Sequence, residues 1–328
     1  MQLGVGVFGD RPLTQVQAYV ARAEEMGFRS AWVADHYCLR EMFTTMTALG
    51  LSTRRLRIAS GTANPYTRHV ATYAMGFATL QELIGDRIIF GIGAAVRPQR
   101  QLLGKNIQKN FAMIRESIEV FRRLLTGGPV NFSGEIVNVA GLKLGFNSGI
   151  TVPIYLGAIG EKMVRLAGEV CDGILLTGGT SIGYAKAAVE WILEGARSAG
   201  RKSEALQTSS YVITAVSDDP RQARDSVKEW VLTFLSQPFF RPLARVSGID
   251  ESDVDRLRRM VESSGVKEAA DKVPEYIVRT LTAAGSVREC VEWLAALHES
   301  GVEEAVIVPL GRDPAKTITD LGREFSHG

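Results

Sequence analysis

Short hydrophobic segments alternate with helical segments eight times along this chain, and this repeat limits its possible folds more than any other feature. The hydrophobic segments are almost continuously apolar, and each is followed by apolar residues at helical spacing. Continuous rather than alternating apolar residues are typical of parallel strands that helices cover on both faces. The eight predicted strands cover residues 3–8, 30–35, 56–62, 87–93, 152–158, 173–179, 209–217 and 303–311.

Eight strand–helix units predict a closed α/β barrel of the (β/α)8 type, a TIM barrel. The competing architecture is an open doubly wound sheet, which usually has fewer strands and a glycine-rich fingerprint after the first one. Here the first strand is followed by FGDRP, which lacks that fingerprint. No linker rich in Pro, Gly or Ser divides the sequence, so we predict one domain over residues 1–328.

Two segments interrupt the repeat. Residues 127–144 place apolar residues between Gly and Ser turn residues, which predicts a β-hairpin before the fifth strand, and we expect it to cover one barrel opening. Residues 237–284 have helical patterning that several prolines and Gly265 break into pieces. We predict a helical insertion there, of the kind that often forms lids or subunit contacts in barrels.

The composition bears on partners and compartment. Thirty-eight Lys and Arg oppose thirty-six Asp and Glu, a net charge of +2 with no run of like charge, which argues against nucleic-acid binding. Cys38, Cys171 and Cys290 are odd in number and far apart, so we expect free thiols in a reducing compartment. With no signal-peptide pattern and no apolar stretch near the roughly 20 residues that span a bilayer, we expect a cytoplasmic protein without membrane contact.

The candidate acid–base residues are Asp35 and His36, which directly follow the second strand. Active sites of such barrels lie at the carboxyl ends of the strands, and His36 is the only histidine at such a position. An imidazole titrates near neutral pH, and Asp35 could influence its proton affinity or contact a polar substrate. In a purely structural alternative, Asp35 caps the next helix and His36 satisfies buried polar groups.

Glycine-rich loops follow the fifth and sixth strands. Backbone N–H groups in such turns, together with the N-terminus of the next helix, attract phosphate groups. Either loop alone is explained by a tight turn, but the pair predicts a phosphate-bearing ligand. Neither loop is a P-loop, and no metal-ligand or hydrolase-nucleophile motif occurs. The residues concerned are Gly157, Ala158, Ile159 and Gly160 in the first loop and Thr177, Gly178 and Gly179 in the second.

Five segments carry a resemblance to a known family: SAWVADHY, IASGTANPYTRH, ATLQELIGDRIIFGIGAA, VPIYLGAIGEKMVRLAGEVCDGILLTGG and GVEEAVIVPLG. Together they resemble the bacterial luciferase-like superfamily, most closely its deazaflavin-dependent branch, typified by methylenetetrahydromethanopterin reductases. The resemblance runs nearly end to end and is weakest in residues 237–284. It implies a barrel that holds coenzyme F420 or FMN at its carboxyl-end mouth and moves hydride to or from the ring.

The resemblance also implies roles for individual residues. Asp35 and His36 match a pair near the reactive ring, and Gly61 and Thr62 match a bulge that contains a non-prolyl cis peptide bond in this family. The two glycine-rich loops match its phosphate contacts. Gly6 stands where the resembled reductase has an acidic residue, so the resemblance extends to the cofactor class and not to the substrate. The remaining implied ring contacts are Asn64, Gly93, Ala94 and Ala95.

Three functions are therefore weighed. The first is an F420-dependent oxidoreductase that transfers hydride between the cofactor and an unidentified small organic substrate, with His36 as acid or base. The second is an FMN-dependent luciferase-like monooxygenase, and the third is a non-catalytic flavin-binding protein. We expect a homodimer or a larger even oligomer, because of the helical insertion and of the family's habit of pairing barrels through early helices.

Overall fold

The structure, a computed structural model, describes residues 1–94, 109–146, 149–237, 240–311 and 313–325. Its strands are β1 (Gln2–Val7), β2 (Ser30–Val33), β3 (Arg57–Ser60), β4 (Ile88–Gly93), β5 (Val130–Ser133), β6 (Asn138–Leu142), β7 (Ile154–Ala158), β8 (Gly173–Leu176), β9 (Gln207–Val216), β10 (Ala283–Gly285) and β11 (Glu304–Pro309). Its helices are α1 (Leu13–Glu25), α2 (Met42–Ser52), α3 (Val70–Ile84), α4 (Asn110–Leu125), α5 (Glu161–Val170), α6 (Ile182–Ser198), α7 (Pro220–Leu235), α8 (Phe240–Val246), α9 (Glu251–Ser264), α10 (Val266–Ala270), α11 (Glu275–Leu281), α12 (Val287–Glu299) and α13 (Pro314–Phe325).

Eight parallel strands close into the predicted TIM barrel. Their order is β1-β2-β3-β4-β7-β8-β9-β11, and β11 pairs again with β1. Each of the eight predicted strands coincides with one of these. Because β9 pairs with both β8 and β11, the ring is closed, and the open doubly wound alternative is wrong. The carboxyl ends of all eight strands therefore lie at one rim.

The predicted hairpin is present as the antiparallel pair β5 and β6. The hairpin lies along α4. There the Glu116 carboxylate accepts hydrogen bonds of 2.7 to 2.9 Å from the backbone N–H groups of Glu135, Ile136 and Val137. The described contacts thus attach it to the outside of the barrel and do not place it across an opening.

The predicted insertion is helical and contains α8, α9, α10 and α11. Sequence reasoning missed β10, which starts within the predicted bounds of the insertion. Strand β10 is the sequence AAG, whose residues favour strands weakly, and it exists because it extends the sheet beside the carboxyl half of β9.

A buried carboxylate fills the amino end of the barrel interior. Glu304 accepts hydrogen bonds from Ser30 Oγ at 2.6 Å and from Ser209 Oγ at 2.8 Å. A Cβ at Gly4 would lie 2.6 Å from the Ser30 oxygen, so this layer has no room for a side chain there. Each carboxylate oxygen has a donor, as a buried charge requires. This layer closes the barrel at the end opposite the rim.

Helices α5 and α6 pack backbone against backbone. A Cβ at Gly195 would overlap the carbonyl oxygen of Arg165, and one at Gly168 would overlap that of Ile192. Only glycine permits so close an approach. The contact fixes α5, whose N-terminus lies at the rim.

The three cysteines are unpaired, as predicted: Cys38 is exposed, and Cys171 and Cys290 are buried. Burial raises the pKa of each of the two buried thiols to about 12, so both stay protonated near neutral pH. In the ranges that the structure describes, no helix is long and apolar enough to cross a membrane.

Helices α2 and α3 lie side by side and present an outer face with almost no charge. Helix α2 has no charged residue, and α3 has only Glu82. Leu51, Met75 and Leu83 on these helices are each at least 50% exposed. Exposed apolar side chains without interleaved charges mark a surface for protein contact.

We expect a homodimer that joins α2 and α3 of two copies, because an uncharged face can pack against its own copy without burying an unpaired charge. Sedimentation velocity should give at least twice the chain mass of 35.7 kDa. Leu51→Glu should shift the protein to monomer, whereas Val246→Glu, an exposed apolar position on α8, should not. A monomeric wild-type protein, or dissociation by Val246→Glu alone, contradicts this expectation.

Candidate functional site

Aromatic side chains from two barrel strands support His36 at the rim. The His36 ring follows β2, and its centroid lies 5.6 Å from that of Phe8, which follows β1. Phe8 in turn lies 5.4 Å from the ring of Tyr211 on β9. In the described part of the chain, the predicted acid or base has no hydrogen-bond partner on its ring. Its ring nitrogens are therefore available to a ligand.

The electrostatics of His36 favour its neutral form. Burial lowers the pKa of the imidazole below its ordinary value of 6.5, and the charges of Asp35 and Asp10 oppose this shift only in part. A neutral imidazole at pH 7 can accept a proton. Asp35 therefore influences His36 through its charge, as expected, but burial determines the direction of the shift.

Asp35 is held by an ion pair with Arg68. Its Oδ2 accepts hydrogen bonds from Arg68 Nη1 at 2.7 Å, the Tyr73 hydroxyl at 3.3 Å and the Asn64 amide at 3.4 Å. The structural alternative, a cap on α2, is wrong because Glu41 caps that helix through the N–H groups of residues 43 and 44. Asp35 thus anchors the loop after β2 to the loop after β3.

Sequence reasoning missed Arg68, which joins two carboxylates. Its Nη2 donates to Glu41 Oε1 at 2.7 Å while Nη1 holds Asp35. The guanidinium also lies 5.9 Å from the ring centre of Phe43 and 5.8 Å from that of Tyr73. The sole signal was its place in the segment IASGTANPYTRH, because a separation of 33 residues from Asp35 indicates no pairing by itself.

A cleft of about 290 Å³ opens beside this cluster, lined by residues 35–39 with Glu41, Thr67 and Arg68. Its size suits a small organic molecule. A second cavity of about 320 Å³ lies at the base of the β5–β6 hairpin, away from the strand ends. Within the described ranges, no group of three or more His, Cys, Asp or Glu side chains is placed to hold a metal ion.

The turn after β3 has the conformation that the resemblance implied. The Gly61–Thr62 peptide bond is cis, and the Gly61 carbonyl accepts a hydrogen bond from the Tyr211 hydroxyl at 2.8 Å. The Thr62 side chain lies against Gly93 and Gly157: a Cβ at Gly157 would be 2.6 Å from Thr62 Cγ2, and one at Gly93 would overlap Thr62 Oγ1. Both glycines therefore make room for Thr62.

The other implied ring contacts have mixed outcomes. Asn64 is buried, and its Oδ1 accepts the N–H of Tyr66 at 3.0 Å, so this oxygen already serves a turn. Ala94 is partly exposed directly after β4. Ala95 lies outside the described residues.

The first glycine-rich loop faces open space. Gly160 immediately precedes α5 with a φ of 85°, and no heavy atom of the described residues lies within 4 Å of the position a Cβ would take. Among the described residues no side chain caps α5, so its first N–H groups, which carry the positive end of the helix dipole, lack a capping partner there. Ala158 beside it is buried, and Ile159 is partly exposed. Gly160 and α5 are thus suited to an anionic group.

The second glycine-rich loop is covered. A Cβ at Gly178 would overlap the Trp230 ring of α7, and one at Gly179 would lie 3.4 Å from Phe240 of α8. The Thr177 carbonyl accepts the Thr180 hydroxyl at 2.6 Å. Contact with α7 therefore requires the glycine at position 178, and a φ of 79° favours the glycine at position 179. The phosphate contact predicted for this loop stays a prediction.

Comparisons with known proteins agree with this architecture. The sequence profile of the luciferase-like monooxygenase family matches residues 1–304. A 5,10-methylenetetrahydromethanopterin reductase of Archaeoglobus fulgidus is 30% identical over 330 residues, which cover 99% of this chain and 98% of the relative. An F420-dependent glucose-6-phosphate dehydrogenase of Amycolatopsis mediterranei is 27% identical over 82% of this chain and 86% of its own length.

A solved structure matches the fold along its whole length. The coenzyme F420-dependent tetrahydromethanopterin reductase of Methanopyrus kandleri superimposes with a TM-score of 0.91 at 26% identity. The match covers 98% of this chain and 97% of that one. The described barrel with its insertions is therefore the architecture of that enzyme.

We expect His36 to titrate with a midpoint below 6.5, because burial disfavours the imidazolium. Since the unfolded chain then binds the proton more readily, the free energy of unfolding should fall as the pH drops from about 7 through this midpoint. Imidazole NMR spectra recorded against pH would measure it, with His36→Asn identifying the signal. The same titration in denaturant is the control, and an equal midpoint in both states contradicts the expectation.

Proposed function

Because this chain belongs to the luciferase-like monooxygenase family, we propose that it is an oxidoreductase that uses coenzyme F420 to transfer hydride to or from a small organic substrate. The names of the reductase and dehydrogenase relatives support the cofactor class. The observation that carries the proposal is the His36 imidazole, which is half-buried and has no described hydrogen-bond partner on its ring, and which lines a cleft at the rim. Its lowered pKa keeps it neutral at pH 7. Such a group accepts or donates one proton beside a hydride-transfer centre.

The residues at the rim fit this cofactor. Gly160 and the start of α5 would hold a phosphate of its tail, since the described residues leave the space at Gly160 open. Gly61 and Thr62, with Gly93 beneath them, would form the wall against the ring. When bound, coenzyme F420 supplies a deazaflavin ring that accepts or donates hydride.

The residues of the chain have separate tasks in this proposal. His36 accepts the proton of a substrate hydroxyl in oxidation and returns it to a carbonyl in reduction. The Asp35–Arg68 ion pair holds the loop that carries His36. The Phe8 ring, which packs on Tyr211, shields one side of the imidazole from water, and this burial favours the neutral form.

The FMN-dependent monooxygenase remains the second candidate, because the family as a whole bears that description. The open loop at Gly160 would accept the phosphate of FMN equally well. The two candidates differ in chemistry, since reduced FMN reacts with oxygen.

We expect coenzyme F420 to bind with a dissociation constant in the low micromolar range or below, and FMN to bind more weakly. Fluorescence titration of the purified protein with each cofactor measures both constants. Binding of FMN alone would favour the monooxygenase. If neither binds below millimolar concentration, the proposed function is wrong even though the fold stands.

Two substitutions should separate catalysis from affinity. His36→Asn should lower turnover by about a hundredfold to ten-thousandfold, the usual contribution of an acid–base group, with the F420 dissociation constant within about tenfold. Gly160→Val should raise the F420 dissociation constant much more than it lowers turnover, because a β-branched residue is strained at a φ of 85° and fills the space next to the loop. Gly128→Val is the control, since a Cβ there also has open space and no cofactor is proposed near it. Full turnover in His36→Asn would make His36 structural.

A further inference from the structure

Tyr211 connects two sides of the barrel mouth. From β9, its hydroxyl donates a hydrogen bond of 2.8 Å to the carbonyl of Gly61, a residue 150 positions away in the sequence. The side chain is 8% exposed, so this bond is shielded from water. Burial raises the pKa of the Tyr211 hydroxyl far above its ordinary value, so the hydroxyl remains a donor at any physiological pH.

The hydrogen bond between Tyr211 and Gly61 leaves no room for a side chain at position 61. A Cβ at Gly61 would overlap the Tyr211 oxygen, so the hydrogen bond and a side chain at position 61 exclude each other. Thr62 follows immediately, and its side chain fills the space left by Gly93 and Gly157. The position of the Gly61 carbonyl therefore fixes where the Thr62 side chain lies.

The ring of Tyr211 has a second contact, with the support of His36. It packs on Phe8, and Phe8 packs on His36. Gly6 makes room for both rings, since a Cβ there would lie 3.2 Å from the Tyr211 ring and 3.3 Å from the Phe8 ring. The hydroxyl of Tyr211 thus contacts the Gly61 turn, while its ring packs on Phe8, the residue that contacts His36.

We propose that Tyr211 is a positioning residue, whose hydroxyl fixes the Gly61–Thr62 turn in the form that receives the cofactor. The cofactor part of this proposal rests on the proposed function, and the positioning part does not. Tyr211 touches no reacting atom in this scheme and acts through Gly61.

Tyr211→Phe is the direct test, because it deletes one oxygen and keeps the ring. Amide hydrogen exchange of the cofactor-free protein should be faster in residues 57–64 and unchanged in α6. The F420 dissociation constant should rise about threefold to tenfold, the range expected for one buried hydrogen bond. The midpoint of the His36 titration should not change, because the ring at position 211 still packs on Phe8. Phe8→Leu should change that midpoint, because it removes the ring that packs on His36.

A double-mutant cycle tests the contact itself. Gly61→Ala should weaken F420 binding more than about a hundredfold and lower the melting temperature, because the new methyl group meets the Tyr211 oxygen. In the Tyr211→Phe background that loss should shrink at least tenfold, since the nearest remaining atom of residue 211 is a ring carbon at 3.2 Å. Gly93→Ala is the control, because its methyl group would clash with Thr62 and not with Tyr211. Its effects on F420 binding and melting temperature should be the same with and without Tyr211→Phe.

The outcomes separate the two proposals. Unchanged exchange in residues 57–64 together with an additive melting-temperature cycle would overturn the role of Tyr211. If the wild-type protein binds no cofactor, the proposed function fails, and the exchange and melting data still decide whether Tyr211 holds the turn.

Discussion

Hydrogen bonds from β9 to both β8 and β11 close the barrel, and the site depends on that closure. Closure brings residues from distant parts of the sequence to one rim, so that Tyr211 can reach Gly61 and Phe8 can support His36. In an open sheet the strands at the two edges would not meet, and these contacts would not form. The buried Glu304 layer closes the other end, which leaves the rim as the side of the barrel where a ligand can approach strand ends.

The fold followed from the sequence because continuous apolar strands and helical spacing are local patterns. Their count identified the barrel, and the resemblance supplied the cis bond at Gly61. Strand β10 was missed since three small residues carry almost no strand signal and gain their structure from pairing with β9. Arg68 was missed because an ion pair across 33 residues exists only after the loops after β2 and β3 meet.

The glycines of the rim show why a motif can predict a site more broadly than the structure supports. Gly93 and Gly157 make room for Thr62, and Gly178 makes room for Trp230. Only packing, which sequence spacing does not encode, distinguishes these from Gly160, whose surroundings are open in the described structure. Open space for a ligand is therefore described at Gly160, whereas the phosphate contact at the second loop stays a prediction.

The Asp35–Arg68–Glu41 cluster makes the electrostatic potential differ between two sides of the rim. These three residues together carry one net negative charge beside His36, which follows β2. The start of α5 carries the positive end of a helix dipole. It follows β7, which is three strands away from β2 in the barrel. Such a field attracts the charged end of an anionic ligand toward α5 and repels it from the cluster. It therefore favours one orientation during the diffusional encounter, before any contact forms.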